Sequence, residues 1–409
     1  MRTLILDNGS FTIKAGYSDI QQPLEIPNTI ARTKRTKRVY VGDLIDKSND
    51  LSGLYYRSPF ERGYLVHWDA ELAVWDRALS DDVLGCQPEE TNLLLTEPVF
   101  NFRRIQRSMD EMVFEEYGFS SLLRASSTKF AALGSGHTLY GNGKEEEAPE
   151  CLVVVDVGHS GTYVAPYHRG RMVASAVRRM DVGGRLLTNY LKETVSFRYW
   201  DMMDETFIMN AVKERCCFVT QDFYRDLETA HGKGRGRLAV DYVLPDFAHS
   251  KTGFVRGQEP RTEELMRDSV QILPLCNERF AVPEALFHPS DVGMDQSGIH
   301  QAVFQAVMAC DQRLQPAMLA NILVVGGSAN LPGLRDRLAA EVQALAPAGT
   351  VRVAVPEEHK PELSAWMGAQ QQLHSASPAC TALDQWRVTR EKYHELGPDR
   401  IIAHFDRFK

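Results

Sequence analysis

The first residues whose types and spacing suit chemistry are Asp7-Asn8-Gly9-Ser10, followed by Lys14. Glycine in such a turn lets the backbone take positive φ and bring its amide groups against an anion. A carboxylate at Asp7 can hold a hydrated divalent cation, and a lysine at 14 can reach back to phosphate oxygens. The Asp-x-Gly pattern returns at Asp156 and Gly158. One such hairpin tip is common simply as a turn, whereas two at the heads of separate segments are expected to grip a polyphosphate between them. A third element is the apolar run Ile322-Leu-Val-Val ending in Gly326-Gly327, then Pro332 and Gly333. The glycine pair permits close approach to a nucleoside, and the N-terminus of the helix expected after it would favour a nearby anion. No GxxxxGK[ST] loop and no complete GxGxxG occurs, so P-loop and Rossmann readings lack their own motifs; HExxH and GxSxG are absent too.

These turns need strands on either side. Residues 3–14 (TLILDNGSFTIK) and 151–166 (CLVVVDVGHSGTYVAP) each read as an apolar strand, a tight turn and a second strand rich in β-branched or aromatic residues. Their likeness suggests an internal duplication. Between them, Trp68–Leu79 and residues 102–117 carry apolar side chains at helical spacing, the second through Ile105, Met109, Met112, Val113 and Tyr117. Hairpins followed by helices imply mixed α/β layers. Residues 134–149, with three consecutive glutamates, read as an exposed linker into a second core. The GKGRGR run within 231–237 reads as a solvated loop insertion.

At 409 residues the chain has room for two or three cores. Forty-six Lys plus Arg against 54 Asp plus Glu leave a net charge of −8, which disfavours coating by nucleic acid through bulk charge. Any such contact would be local, and Arg32, Lys34, Arg35, Lys37 and Arg38 form a candidate nucleic-acid or localisation patch, or else a solvated loop face. The hydrophobic share of 44% is that of a folded, soluble protein. The N-terminus turns polar at Asp7, so no secretory leader is expected, and no apolar run approaches the roughly 18 residues of a membrane span. Seven cysteines without a CxxC pair fit neither a zinc site nor a disulfide scaffold, which points to reduced thiols in the cytoplasm or nucleus.

Segments 7–19 (DNGSFTIKAGYSD), 40–43 (YVGD), 94–98 (LLTEP), 156–166, 181–191 (DVGGRLLTNYL), 277–289 (NERFAVPEALFHP) and 326–333, with Trp366, resemble the actin family from the first residues to the C-terminal segment. The resemblance implies an α/β actin fold: two RNase H-like domains of common ancestry flanking a nucleotide cleft, each with a smaller peripheral subdomain. It places the first half at 1–138 and 341–409, with its peripheral part at about 31–64, and the second at 139–340, with its peripheral part at about 181–274. It implies ATP or ADP, with magnesium, as ligand. By position Asp7, Gly9, Ser10, Phe11, Thr12 and Lys14 match the first phosphate hairpin, and Asp156, Gly158, His159, Ser160, Gly161 and Thr162 the second. Asp7 and Asp156 would hold the cation through water. Gly184 and Arg185 match a cleft-lining segment, Lys213 and Glu214 the flanks of adenine and ribose, and Gly326, Gly327 and Asn330 the adenosine loop.

Three departures stand where actin keeps polar groups for hydrolysis. Ser127 replaces a water-orienting glutamine, His159 a second acidic residue near the metal, and Tyr163 a histidine near the attacking water. Such hydrolysis depends on holding a water in line with the terminal phosphate, so ATP binding without efficient turnover is expected. Leu331 and Glu362 replace a tyrosine and a lysine near the base. Segments 51–69, 221–226 and 241–247 most resemble a nuclear actin-related branch, which implies a subunit of SWR-type chromatin remodellers that exchange a canonical core histone for its Z-class variant. Its implied partners are a HIT-domain zinc-finger subunit, the helicase-like motor ATPase, and the nucleosome with the variant histone; its implied site is the nucleus, and also the cytoplasm. No filament is expected, because the 31–40 segment is short and basic. The reading from another class is an active ATPase of the actin, sugar-kinase and chaperone superfamily.

Overall fold

The computed structural model describes residues 1–34, 37–48, 54–140, 148–232, 235–245, 252–257, 271–346, 349–374 and 383–408. Its frame is two six-stranded sheets, each built around one of the two hairpins. In the first, Arg2–Asn8 pairs antiparallel with Thr12–Tyr17 and parallel with Thr91–Glu97, which in turn pairs parallel with Ser121–Ser126. In the second, Cys151–Val157 pairs antiparallel with Thr162–His168 and parallel with Ile322–Val325. Central parallel strands are covered on both faces, which is why they read as unbroken apolar runs rather than alternating ones. Leu4, Ile5, Leu6, Leu94 and Leu95 are all buried in the first core, as are Val153, Val155 and Val324 in the second.

The expected helix Trp68–Leu79 is present and buries Val74 and Trp75 against the first sheet. The helix expected over 102–117 is shorter: Arg103–Glu111 is α-helical and Met112–Glu116 makes a wider π-turn. The segment 134–149 is not an exposed linker throughout. Gly136–Tyr140 is a short helix, and Leu139 is buried in a third core, with Val99, Ala132, Leu152 and Val154, that joins the two halves. Residues 141–147 of that segment lie outside the described residues, as do Lys233 and Gly234 of the GKGRGR run; Arg235–Leu238 is a short helix.

The chain returns to the first half late. Helix Leu334–Leu345 packs on the second core through Leu338 and Val342, and Val353–Ala354 adds a strand beside Ile322–Val325. Elements of the second half therefore run to 354, past the 340 expected, because a strand must pair before the chain can leave the sheet. Helix Ser364–His374 then packs on the first sheet, with Trp366 buried and its Nε1 donating to the Ile5 carbonyl at 3.2 Å.

A small sheet sits at the outer end of each half. One is Ile30–Thr33, Val39–Val41 and Leu54–Arg57; the other is Val240–Val243, Phe254–Val255 and Ile272–Leu275.

Candidate functional site: an amide-lined cleft between two hairpins

Both Asp-x-Gly tips lie at the C-terminal ends of parallel-paired strands, where open α/β sheets present loops to ligands. They face each other across a cleft of about 480 Å³. At the cleft floor the Ser160 hydroxyl donates to the Ser10 hydroxyl at 2.7 Å, a direct contact between the two halves. A ligand phosphate held by one tip would therefore touch the other.

The first tip is held by polar groups. Asn8 N–H donates to Thr96 Oγ1 at 3.0 Å, and Thr96 Oγ1 donates to Asp7 Oδ1 at 2.7 Å. Asn8 Nδ2 donates to Glu71 Oε1 at 2.5 Å, and Trp75 Nε1 reaches the same oxygen at 3.1 Å. Burial pushes the Glu71 carboxyl up to about 7. Lys14, opposite Asp7 in the ladder, places Nζ 3.8 Å from Asp7 Oδ2.

The second tip is held largely by backbone. Gly158 N–H donates to the Gly161 carbonyl, and Gly184 and Arg185 N–H donate to the carbonyls of Gly158 and His159. Asp156 accepts from Ser127 Oγ at 3.1 Å. Burial, then the like charge of Asp7, pushes its carboxyl up to about 6. His159 stacks on Phe11 with ring centroids 4.7 Å apart. Burial and the cations Lys213, Arg185 and Lys14 lower His159 to about 3, so it is neutral at physiological pH. Tyr163 is pushed up to about 12, chiefly by burial, and is no base at neutral pH.

Glycine is required at one point of the cleft wall and at one point behind the second tip. Gly326 has φ +89°, and a Cβ there would stand 2.6 Å from Asp156 Oδ1 and 2.7 Å from the Val157 carbonyl oxygen. A Cβ on Gly183 would meet Gly161 N at 2.5 Å. The wall is thus bare backbone where a nucleoside polyphosphate needs close approach. Among the described residues no group of three or more His, Cys, Asp or Glu could hold a metal. The two carboxylates at the floor, Asp7 and Asp156, suit a cation whose other ligands are water and phosphate.

Of the residues anticipated from sequence, Asp7, Gly9, Ser10, Phe11, Thr12, Lys14, Asp156, Gly158, His159, Ser160, Gly161, Gly184, Lys213, Glu214, Gly326, Gly327 and Asn330 all line the cleft. Two do not. Thr162 is buried with its hydroxyl donating to the Val182 carbonyl at 2.8 Å, and Arg185 is exposed and off the cleft wall. Lys213 holds its own wall together, donating to Gly184 O, Thr188 Oγ1 and Asn210 Oδ1. The anion-facing helix expected after Gly327 does not open there: a 3-10 turn, Gly327–Asn330, intervenes, and it is this turn that lines the cleft. Asn330 Nδ2 donates to Glu362 at 2.8 Å, so Glu362 closes that side. Sequence reading missed Thr96, Asn210, Glu25 and Lys360. Thr96 had a signal, as a polar residue ending an apolar strand; Glu25 and Lys360, paired at 2.7 Å, had none, being 335 residues apart.

The first small sheet is clasped to the second half. Phe207 packs among Ala31 and Leu54 of the first small sheet and Ile45 of the 3-10 turn Gly42–Lys47, and stacks on Tyr56, and Lys34 pairs with Asp204 at 3.0 Å. Lys34 is therefore engaged within the chain, Arg32, Lys37 and Arg38 are exposed, and Arg35 lies outside the described residues.

The actin family model matches residues 1–406. The actin-like protein ARP6 of Cryptococcus neoformans is 39% identical over 99% of this chain and 84% of its own length. Actin-related protein 6 of Drosophila melanogaster is 39% identical over 96% and 97%, and that of Oryza sativa 33% identical over 98% of each. With two hairpins closing on one cleft and a match along nearly the whole length, the chain belongs to the actin family, within its actin-related protein 6 group.

Proposed function

We propose that this protein is a structural subunit of a SWR-type chromatin remodelling assembly in the nucleus, where a canonical core histone is exchanged for its Z-class variant. It holds ATP or ADP, with magnesium, as a structural ligand, and it docks a HIT zinc-finger subunit and the helicase-like motor. Its group within the actin family supports the assembly role, and the family binds ATP or ADP with magnesium generally. The observation that carries the ligand reading is the 2.7 Å contact between Ser10 and Ser160 on facing amide-lined tips. A ligand bridging them stabilises the closed form by mass action.

Weak turnover is supported by the three departures. Ser127 is engaged with Asp156, His159 is neutral and stacked, and Tyr163 does not ionise near neutrality. The rival, an active ATPase, rests on one group: Asp156, titrating near 6, is a carboxylate able to accept a proton at neutral pH. Tagged protein purified gently from its native host decides the main reading. Recovery in a large assembly with a helicase-like motor, a HIT zinc-finger protein and variant histone is the expected result, and recovery chiefly as a 46.1 kDa monomer would overturn it. Steady-state ATP turnover decides between subunit and enzyme: background rates that rise when Ser127→Gln, His159→Asp and Tyr163→His are combined match the proposal, and wild-type turnover well above background refutes it.

A further inference from the structure

On the first half, the segment after strand Thr91–Glu97 alternates: Val99 is buried in the core between the halves, while Phe100 and Phe102 are 41% and 59% exposed. Phe102 packs on Tyr64 with centroids 4.7 Å apart, and Phe100 lies 6.4 Å from Tyr163. Arg179 of the second half bridges them, its guanidinium 5.0 Å from the Tyr64 ring and 5.6 Å from the Tyr163 ring. It also donates to Tyr64 OH at 2.6 Å and to the Arg62 carbonyl at 2.7 Å. The result is an aromatic belt across the seam between the halves, bridged by Arg179, with Phe100 and Phe102 open to solvent.

The rim of this belt is cationic in a protein of net charge −8. Arg62 stands at a hairpin tip with φ +49°, and Arg103, Arg104 and Arg107 follow Phe102 on helix Arg103–Glu111. The carboxylates nearby are already engaged: Glu61 with His67, Asp181 with Arg179, Glu111 with Arg107 and Asp406 with Arg103. Arg62 and Arg104 are exposed, and among the described residues neither side chain has a partner. No acidic residue occupies the first turn of that helix, and two arginines sit there instead, where the helix dipole disfavours positive charge. Such placement works against the isolated fold and suits an incoming anion.

We infer that this belt is a docking surface for an acidic segment of a partner protein, which seats an apolar or aromatic anchor against Phe100, Phe102 and Tyr64 while its carboxylates meet Arg62 and Arg104. Aromatic residues and arginine are the types enriched in such interfaces, and two exposed phenylalanine rings favour a protein over a nucleic-acid backbone. Because Tyr163 belongs both to the belt and to the cleft lining, an occupant would brace the seam beside the second hairpin. The inference rests on the reading that the chain docks companion subunits.

The test uses tagged full-length protein in its native host, with the photoreactive residue benzoylphenylalanine in place of Phe102, irradiated before purification, and the assembly's size recorded alongside. A cross-link to an acidic segment of a companion is expected. The double variant Arg62→Glu, Arg104→Glu should then retain that companion at least tenfold less well, with no loss of melting temperature, since glutamate at position 104 suits the helix N-terminus. A cross-link to nucleic acid, to a second copy of this chain or to a basic segment overturns the inference, as does an intact assembly with no cross-link at 102. If the wild-type protein runs as a monomer, the docking reading falls and takes this surface with it; an assembly that persists without the cross-link sinks the surface alone.

Discussion

In the first hairpin Asp7 stands opposite Lys14, and in the second Asp156 stands opposite Tyr163, in the same register of an equally long turn. Next to the carboxylate the first has Asn8, tied to Glu71 and Thr96, and the second has Val157, buried in the core. The first tip therefore carries its own countercharge and a polar brace. The second has an apolar brace, and burial, then the facing charge of Asp7, lifts the Asp156 carboxyl to about 6 against the one side-chain donor it has among the described residues, Ser127. One backbone device used twice thus gives a self-neutralised tip and a tip whose charge is best met by something in the cleft.

The largest effect should come from the wall that the second tip leans on. Gly326→Val forces a side chain into a left-handed conformation and onto Asp156, so a loss of at least about 3 kcal/mol is expected, read as a lower melting temperature and lost ATP binding. An unchanged melting temperature would mean that the tip is not held by that contact. Neutralising the two carboxylates should act in opposite directions in ligand-free protein. Asp7→Asn strands Lys14 and is expected to cost about 3 kcal/mol. Asp156→Asn removes a charge whose folded-state proton affinity is raised, so at pH 7 it should gain on the order of 2 kcal/mol. That gain should fade as pH drops from about 6 towards 4, because the folded wild type then takes up the proton more readily than the unfolded chain. Denaturant melts across that range check both signs, and parallel behaviour of the two variants would erase the distinction between the tips.

Making the second tip like the first is a finer probe. Tyr163→Lys supplies the missing cation and should lower the pH at which the Asp156→Asn difference appears by about one unit, roughly 1.4 kcal/mol. A profile that stays where it was would show that burial alone sets Asp156. Smallest is the bridge itself. Ser160→Ala removes one hydroxyl contact with Ser10 and should lower stability by about 1 kcal/mol, with a larger fractional effect on ATP affinity than on melting temperature. Equal effects of Ser160→Ala and Ser10→Ala on ATP affinity would place the ligand symmetrically between the tips.

Both hairpins and the strand before Gly326 were legible because unbroken apolar runs and Asp-x-Gly turns are local signals. The linker reading of 134–149 failed at Leu139 because burial there comes from strands of the other half, which no window around residue 139 contains. Thr162 was assigned to the cleft by its place in a motif, but side chains alternate along a strand and its hydroxyl turned to Val182. The same limit hid Glu25 and Lys360.

The sequence by itself determined the two Asp-x-Gly hairpin motifs, the glycines and the family, since each is a matter of residue type at a fixed spacing. Only the tertiary structure decided which of those groups meet. The Ser10 and Ser160 contact, the Phe207 clasp and the Arg179 belt join residues more than a hundred positions apart, and such contacts are set by how the two cores pack, through burial and charge that accumulate across the whole fold.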